Sequence, residues 1–214
     1  RKLADAIDSR FLKQAFHGRT WGAISVNGWA GMKEGMDPLV QTCTQIPAND
    51  LEVLRRELSR GDVAGFIFEP VQGMSLVDLD PGYLREAERL CRQHGTYMIA
   101  DEIQTGLGRC GAWFLSREWG VNPDIITISK TLSGGQVPVS CAVVNEGLYQ
   151  RVFDTFKGAV FYYSTFAENN LAMAASLATL DVLVELDAPR RSLELSQLFR
   201  SRLPKWFQAA DRKA

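Results

Sequence analysis

Two segments hold residues whose types could do covalent chemistry: IADEIQTG, which contains Asp101, and TISKTLSGG, which contains Lys130. Each follows a short apolar run, so a carboxylate and an amine stand where two buried strands would end. Taking either group out of water is costly unless something pairs with it. An aldehyde cofactor such as pyridoxal 5′-phosphate (PLP) would give both a purpose. The lysine forms an imine with the aldehyde carbon, and the aspartate keeps the pyridine nitrogen protonated so that the ring draws electrons. Lysine suits the role because burial depresses its pKa and frees the amine. Spacing alone leaves a plainer reading open, in which an aspartate and a lysine merely end two strands.

The elements that must position these residues repeat as helix, buried strand and polar loop. LEVLRRELSR, N-capped at residues 49–50 and stopped by Gly61, leads into VAGFIFEPVQG. Residues 82–94, with Leu84, Ala87, Leu90 and Cys91 at helical spacing and Gly95 as the stop, lead into TYMIADEIQ. After the glycine-bearing loop TGLGRCG comes a third apolar run, DIITISK. Further strands are expected within residues 39–47 and in SCAVVNE, and a helix over residues 148–156. The Ala- and Leu-dense NNLAMAASLATLDVLVEL is expected to form a helix packed on the sheet. The pattern predicts an α/β fold, a mostly parallel sheet flanked by helices with strands buried on both faces. In such sheets ligands sit at the carboxyl ends of the strands, where Glu69, Asp101, Glu102, Gln104 and Lys130 all fall.

Composition narrows the function classes. With 46% hydrophobic and 23% charged residues the chain is globular material, neither disordered nor collagen-like. Lys and Arg number 24 against 25 Asp and Glu, so charge gives no case for nucleic acid or an anionic membrane as partner. Cys43, Cys91, Cys110 and Cys141 form no CxxC pair and have no His-rich companion, which predicts reduced, mostly packed thiols and no metal site. No apolar stretch reaches membrane-spanning length, and RKLADAIDSR lacks the apolar run of a signal peptide. These features predict a soluble, cytoplasmic protein.

The run MIADEIQTGLGRCGAWFLSREWGVNPDIITISKTLSGG resembles the signature of class III, or ω-amino-acid-type, PLP-dependent aminotransferases. FHGRT, VAGFIFEPVQG and YSTFAENNLAMAASLATL agree in order, so the resemblance runs from about Phe16 to Leu180. It implies the large domain of PLP-dependent transferase fold type I. It also implies Lys130 as the Schiff-base lysine and proton carrier, Asp101 as partner of the pyridinium, and Ile103 and Phe16 packed on the two ring faces. Gln104 would lie near the phenolic oxygen, Thr165 would reach the phosphate of a neighbouring subunit's cofactor, and Glu69 would face the substrate. Plainer readings stand beside several of these. Gln104 could be a solvated strand-end amide, Glu69 a turn anchor, Ser164 and Thr165 the caps of the next helix, His17 a loop support and His94 a helix-end residue. Gly106, Gly108 and Gly111 lack the GxGxxG order and read as turn formers.

Family members carry more than this chain does: upstream a Gly/Ser/Thr-rich phosphate loop, downstream a small domain with a carboxylate-binding arginine. The chain therefore reads as a partial large-domain core over residues 1–190, lacking the phosphate loop, with residues 191–214 starting a truncated small domain. Departures are Glu168, in AENN where the family has Gly-Gly-Asn-Pro, and Phe16 where Tyr is commoner. The resemblance implies transamination between an amine or amino acid (an ω-amine, ornithine-like or diamine donor) and a 2-oxo acid, in a homodimer with shared active sites. The alternatives are a racemase or aminomutase on the same fold, or a catalytically inactive truncated fragment.

Overall fold

A computed structural model describes residues 8–162 and 164–203. Six strands form one sheet in the order β2-β1-β3-β4-β5-β6: β1 (Asp8–Leu12), β2 (Cys43–Ile46), β3 (Val63–Phe68), β4 (Tyr97–Asp101), β5 (Ile125–Ile128) and β6 (Cys141–Val144). All neighbours pair in parallel except β6, which runs antiparallel to β5. The longer helices are α2 (Leu51–Ser59), α3 (Pro81–His94), α5 (Glu146–Phe153), α7 (Asn170–Glu185) and α8 (Ala188–Arg202); α1 (Trp21–Ser25), α4 (Leu115–Glu118) and α6 (Phe156–Tyr162) are short.

Local chemistry sets the helix ends. The Asp50 carboxylate accepts the Val53 N–H at 3.0 Å, and Asp80 accepts that of Tyr83 at 2.7 Å ahead of Pro81 at the first helical position. Leu84, Ala87, Leu90 and Cys91 of α3 recur at helical spacing and are buried with Leu54 and Leu58 of α2 against Phe66, Phe68, Met98, Ala100, Ile126 and Ile128 of the strands. Each such aliphatic or aromatic side chain contributes about 1.5–3 kcal/mol by leaving water.

The mostly parallel sheet flanked by helices is as expected, but several finer expectations are corrected. Among the described residues the helices α2 and α3 cover one face of the sheet. On the other face Ile67, Ile99 and Ile125 are only half-buried; Ile99 and Ile125 border, with α5, an apolar cavity of about 530 Å³. Strand β1 was not anticipated, because charge breaks its apolar pattern; buried Arg10 is held by Glu57 at 3.2 Å and Asp8 at 3.4 Å. The helix expected over 148–156 is two helices, α5 and α6. Rather than lying on the sheet, α7 packs against the turn Lys130–Ser133, with Leu171, Leu177, Val182 and Val184 exposed. All four cysteines are free, but only Cys91 is buried; Cys43 is half-buried, and Cys110 and Cys141 are exposed. Helix α8 runs unbroken across residues 190–191, and residues 204–214 of the expected small-domain start, like residues 1–7, lie outside the described residues. No helix among the described residues is long and apolar enough to cross a membrane, and none of their His, Cys, Asp and Glu side chains cluster as a metal site.

Candidate functional site

Strand alternation puts Met98 and Ala100 in the core, so Asp101, at the carboxyl end of β4, points to the open face with Ile99. Asp101 pairs in register with Thr127 of β5, and Lys130 follows three residues on, at the start of a 3-10 turn, Lys130–Ser133. The chain must reverse sharply there, and Lys130 takes a left-handed backbone, φ 38°.

Asp101 is 5% exposed. One oxygen, Oδ2, lies 2.7 Å from His17 Nδ1, and Oδ1 accepts the Ile103 N–H at 3.2 Å. Because an ionised carboxylate only accepts, the imidazole proton facing it sits on Nδ1. The FHG loop is clamped to present that histidine. The His17 N–H donates to Asn27 Oδ1 at 2.7 Å, Asn27 Nδ2 donates to the Gly18 carbonyl at 2.9 Å, and the Phe16 N–H donates to Glu69 Oε1 at 2.8 Å. A cavity of about 440 Å³ opens over Asp101, lined also by His17, Ile103, Thr127, Ser140 and Cys141. Two of its polar atoms, His17 Nε2 and Thr127 Oγ1, are buried without a hydrogen-bond partner. Buried polar atoms are rarely left so, and both are available to a polar ligand in the cavity.

Glu69 is buried, and both its oxygens are engaged, Oε1 by Phe16 and Oε2 by the Gly73 N–H at 3.0 Å. Burial raises its carboxyl above the usual range; the two backbone N–H groups and His17 oppose that rise, and nearby Asp101 adds to it. The turn-anchor geometry is therefore present. Gln104 packs against the same turn so closely that a Cβ at Gly73 would stand 1.7 Å from its Nε2, so a larger residue there would push the Gln104 amide aside. Glu102 is also buried; its carboxylate accepts from the Thr105 hydroxyl and, at 2.7 Å, from the Ser116 N–H, holding the loop that follows β4.

The side chain of Lys130 is exposed, not buried as expected, because it lies past the end of β5, at the start of the 3-10 turn. Its amine nevertheless binds a proton less tightly than an ordinary lysine. Partial desolvation is the main cause and the positive Arg109 the second, while Asp101 and Glu69 pull the other way. The amine therefore shares a field with both carboxylates.

The structure thus groups Glu69, Asp101, Ile103, Gln104 and Lys130 at neighbouring strand ends. Phe16 adjoins them through its backbone, and the Arg19 guanidinium stands 5.9 Å over its ring. Thr165 is apart, exposed on the loop ahead of α7. That loop borders a second cavity, of about 560 Å³, with Ser129, Pro138 and Val139. Neither Ser164 nor Thr165 caps α7; Asn169 does, accepting the Ala172 N–H at 2.9 Å. Reading by sequence gave His17 only a loop role and did not single out Arg109 or Arg19. The signal for His17 was its place beside Phe16 in the FHG block.

The donor set fits PLP at its ring end: a buried carboxylate for a ring cation, an amine for a carbonyl carbon, and unpartnered polar atoms in the cavity over the carboxylate. Residues 11–212 match the family described as aminotransferase class-III. An ornithine aminotransferase from Exiguobacterium is 39% identical over 189 residues, 88% of this chain and 46% of that protein. The structure of ornithine aminotransferase from Toxoplasma gondii ME49 superposes with a TM-score of 0.84 at 31% identity, over 92% of this chain and 46% of that one. A PLP-bound amine transaminase from an uncultivated Pseudomonas species gives 0.85 at 25% identity, over 97% and 52%. The chain spans about half the length of the relatives it matches.

Proposed function

Since this chain belongs to the class III aminotransferases, a family that works with PLP, we propose that the protein it comes from moves an amino group from an amine or amino acid to a 2-oxo acid. The observation that carries the proposal is buried Asp101, backed by His17 at 2.7 Å, near enough to Lys130 for its charge to act on the amine. Similarity to ornithine aminotransferases favours an ω-amine, ornithine-like or diamine donor.

When bound, the cofactor supplies a carbonyl carbon for amines and a cationic ring that draws electrons from the substrate. The chain's own groups do the rest. Asp101 holds the ring cation, and His17 fixes the orientation of that carboxylate. Lys130 Nζ would take the proton from the substrate carbon that bears nitrogen and return it to the carbon on the other side of that nitrogen. Its lowered proton affinity makes the neutral, proton-accepting amine more abundant than in an ordinary lysine. Ile103 and Phe16 would flank the ring, Gln104 would meet its phenolic oxygen, Glu69 would face the substrate's charged end, and Thr165 would reach the phosphate bound by a second copy. Support for a homodimer comes from α7, an apolar helix with Leu171 and Leu177 more than half exposed. Four unpaired thiols support a reducing, cytoplasmic setting.

The test is product formation by the full-length protein offered amines with pyruvate or 2-oxoglutarate. A transaminase makes a new amino acid from the acceptor; a racemase or aminomutase does not. Lys130→Ala should lower turnover by on the order of 10⁴-fold or more, and Asp101→Ala by about 10³-fold. Full activity in either variant sinks that residue's assignment.

A further inference from the structure

Arg109 sits at the tip of a tight loop that follows β4. The loop closes on itself through Leu107 N–H to the Trp113 carbonyl at 2.7 Å, Gly108 N–H to Ala112 at 3.1 Å and Gly111 N–H to Gly108 at 3.1 Å. Its base is held by buried Glu102. Its outer side lies against α8, where a Cβ on Gly108 would come within 3.0 Å of Ala188 and one on Gly111 within 2.5 Å of Leu193. The arm so formed extends the guanidinium to the residue after Lys130, donating from Nη2 to Thr131 Oγ1 at 2.6 Å.

The turn it touches needs holding. Lys130 is a non-glycine residue at φ 38°, a strained conformation that persists only when its surroundings impose it. From the C-terminal side the turn is pinned by Ser129 Oγ to the Val139 carbonyl at 2.7 Å and Ser133 Oγ to the Val137 carbonyl at 2.6 Å. Arg109 pins it from the opposite side. We propose that Arg109 is a positioning residue for Lys130, tethering the turn that carries the lysine and fixing a positive charge beside its amine. The proposal rests on the reading of Lys130 as the residue that binds the cofactor's carbonyl carbon.

The charged groups acting on Lys130 are Asp101 from the end of β4, with His17 behind it, Glu69 from the end of β3, and Arg109 from the loop. Glu168 stands across the cavity that borders Ser129. The two carboxylates favour the protonated amine; Arg109 is the cation that opposes them, so the neutral nucleophile is more abundant than it would be without it.

The test is the pH dependence of Lys130 modification in the full-length protein freed of cofactor, using trace acetic anhydride labelling and peptide mass spectrometry from pH 6 to 11. Only the neutral amine reacts. Arg109→Gln should move the midpoint up by roughly 0.5–1 pH unit, and Arg109→Lys should restore most of the wild-type value. Should Arg109→Gln not fold, Thr131→Val, which releases the tether, should shift the midpoint in the same direction by a smaller amount. Coincident midpoints for wild type and Arg109→Gln, identical shifts in the Gln and Lys variants, or no shift with Thr131→Val overturn the proposal. Borohydride reduction of the same wild-type protein with PLP separates the two readings. No pyridoxyl group on Lys130 removes the lysine's assignment, whereas a labelled Lys130 with unshifted midpoints removes Arg109 alone.

Discussion

The two faces of one sheet obey different rules. Beneath α2 and α3, Phe66, Phe68, Met98 and Ala100 are at most 1% exposed, side chains alternate as the pleat requires, and both helices are capped by aspartates. Above, at the carboxyl ends of the same strands, lie a buried carboxylate pair, a lysine in a left-handed conformation, and two buried polar atoms without partners. One face is locally consistent and exists for stability. The other departs from every local preference within a few residues, which is where chemistry is to be expected.

That contrast can be broken by substitution. Phe66→Ala on the covered face should cost about 3–5 kcal/mol in urea unfolding, because it opens a cavity in a core that cannot collapse. Thr127→Val on the open face, where Oγ1 has no hydrogen-bond partner among the described residues, should change stability by less than about 1 kcal/mol while weakening cofactor binding. Comparable losses of stability in the two variants erase the distinction.

A second contrast concerns thiols. Burial pushes Cys91 up to about 12 from an ordinary 9.0, so the folded protein keeps that proton while the unfolded chain gives it up. The folded-state value is the raised one; its contribution is intact below pH 9.0 and lost as pH climbs towards about 12. Alkaline stability should therefore fall by on the order of a few kcal/mol over that range, and Cys91→Ala should flatten the fall. In the native protein a thiol reagent should modify exposed Cys141 promptly and Cys91 only on unfolding; prompt labelling of Cys91 contradicts its burial.

Smaller effects sharpen the boundary. Glu69→Gln sets an amide N–H against a backbone N–H of Phe16 or Gly73, and should cost about 1–3 kcal/mol by thermal unfolding, more than an exposed Glu→Gln change would. Retained stability would mean that Glu69 does not anchor the turn. Asp50→Ala, which removes the α2 cap, should cost about 1 kcal/mol and leave catalysis untouched, as judged by unfolding and turnover in parallel.

What the sequence made legible was local. Apolar runs ending in Asp101 and Lys130 located the site, and the spacing of Leu84, Ala87, Leu90 and Cys91 located α3 within a residue. What it hid depends on contacts between distant residues. Strand β1 escaped because buried Arg10 is neutralised by Glu57, 47 residues away, and no periodicity reveals an ion pair. The His17 contact with Asp101 spans 84 residues. Lys130 was expected to be buried because the run before it is; the turn, not the strand, decides where the amine goes.

The most direct test is reductive trapping. Full-length protein saturated with PLP, treated with borohydride and digested, should carry the pyridoxyl mass on the peptide containing Lys130, and Asp101→Ala should still carry it there while losing turnover. A pyridoxyl group on a different lysine of an active preparation contradicts the account.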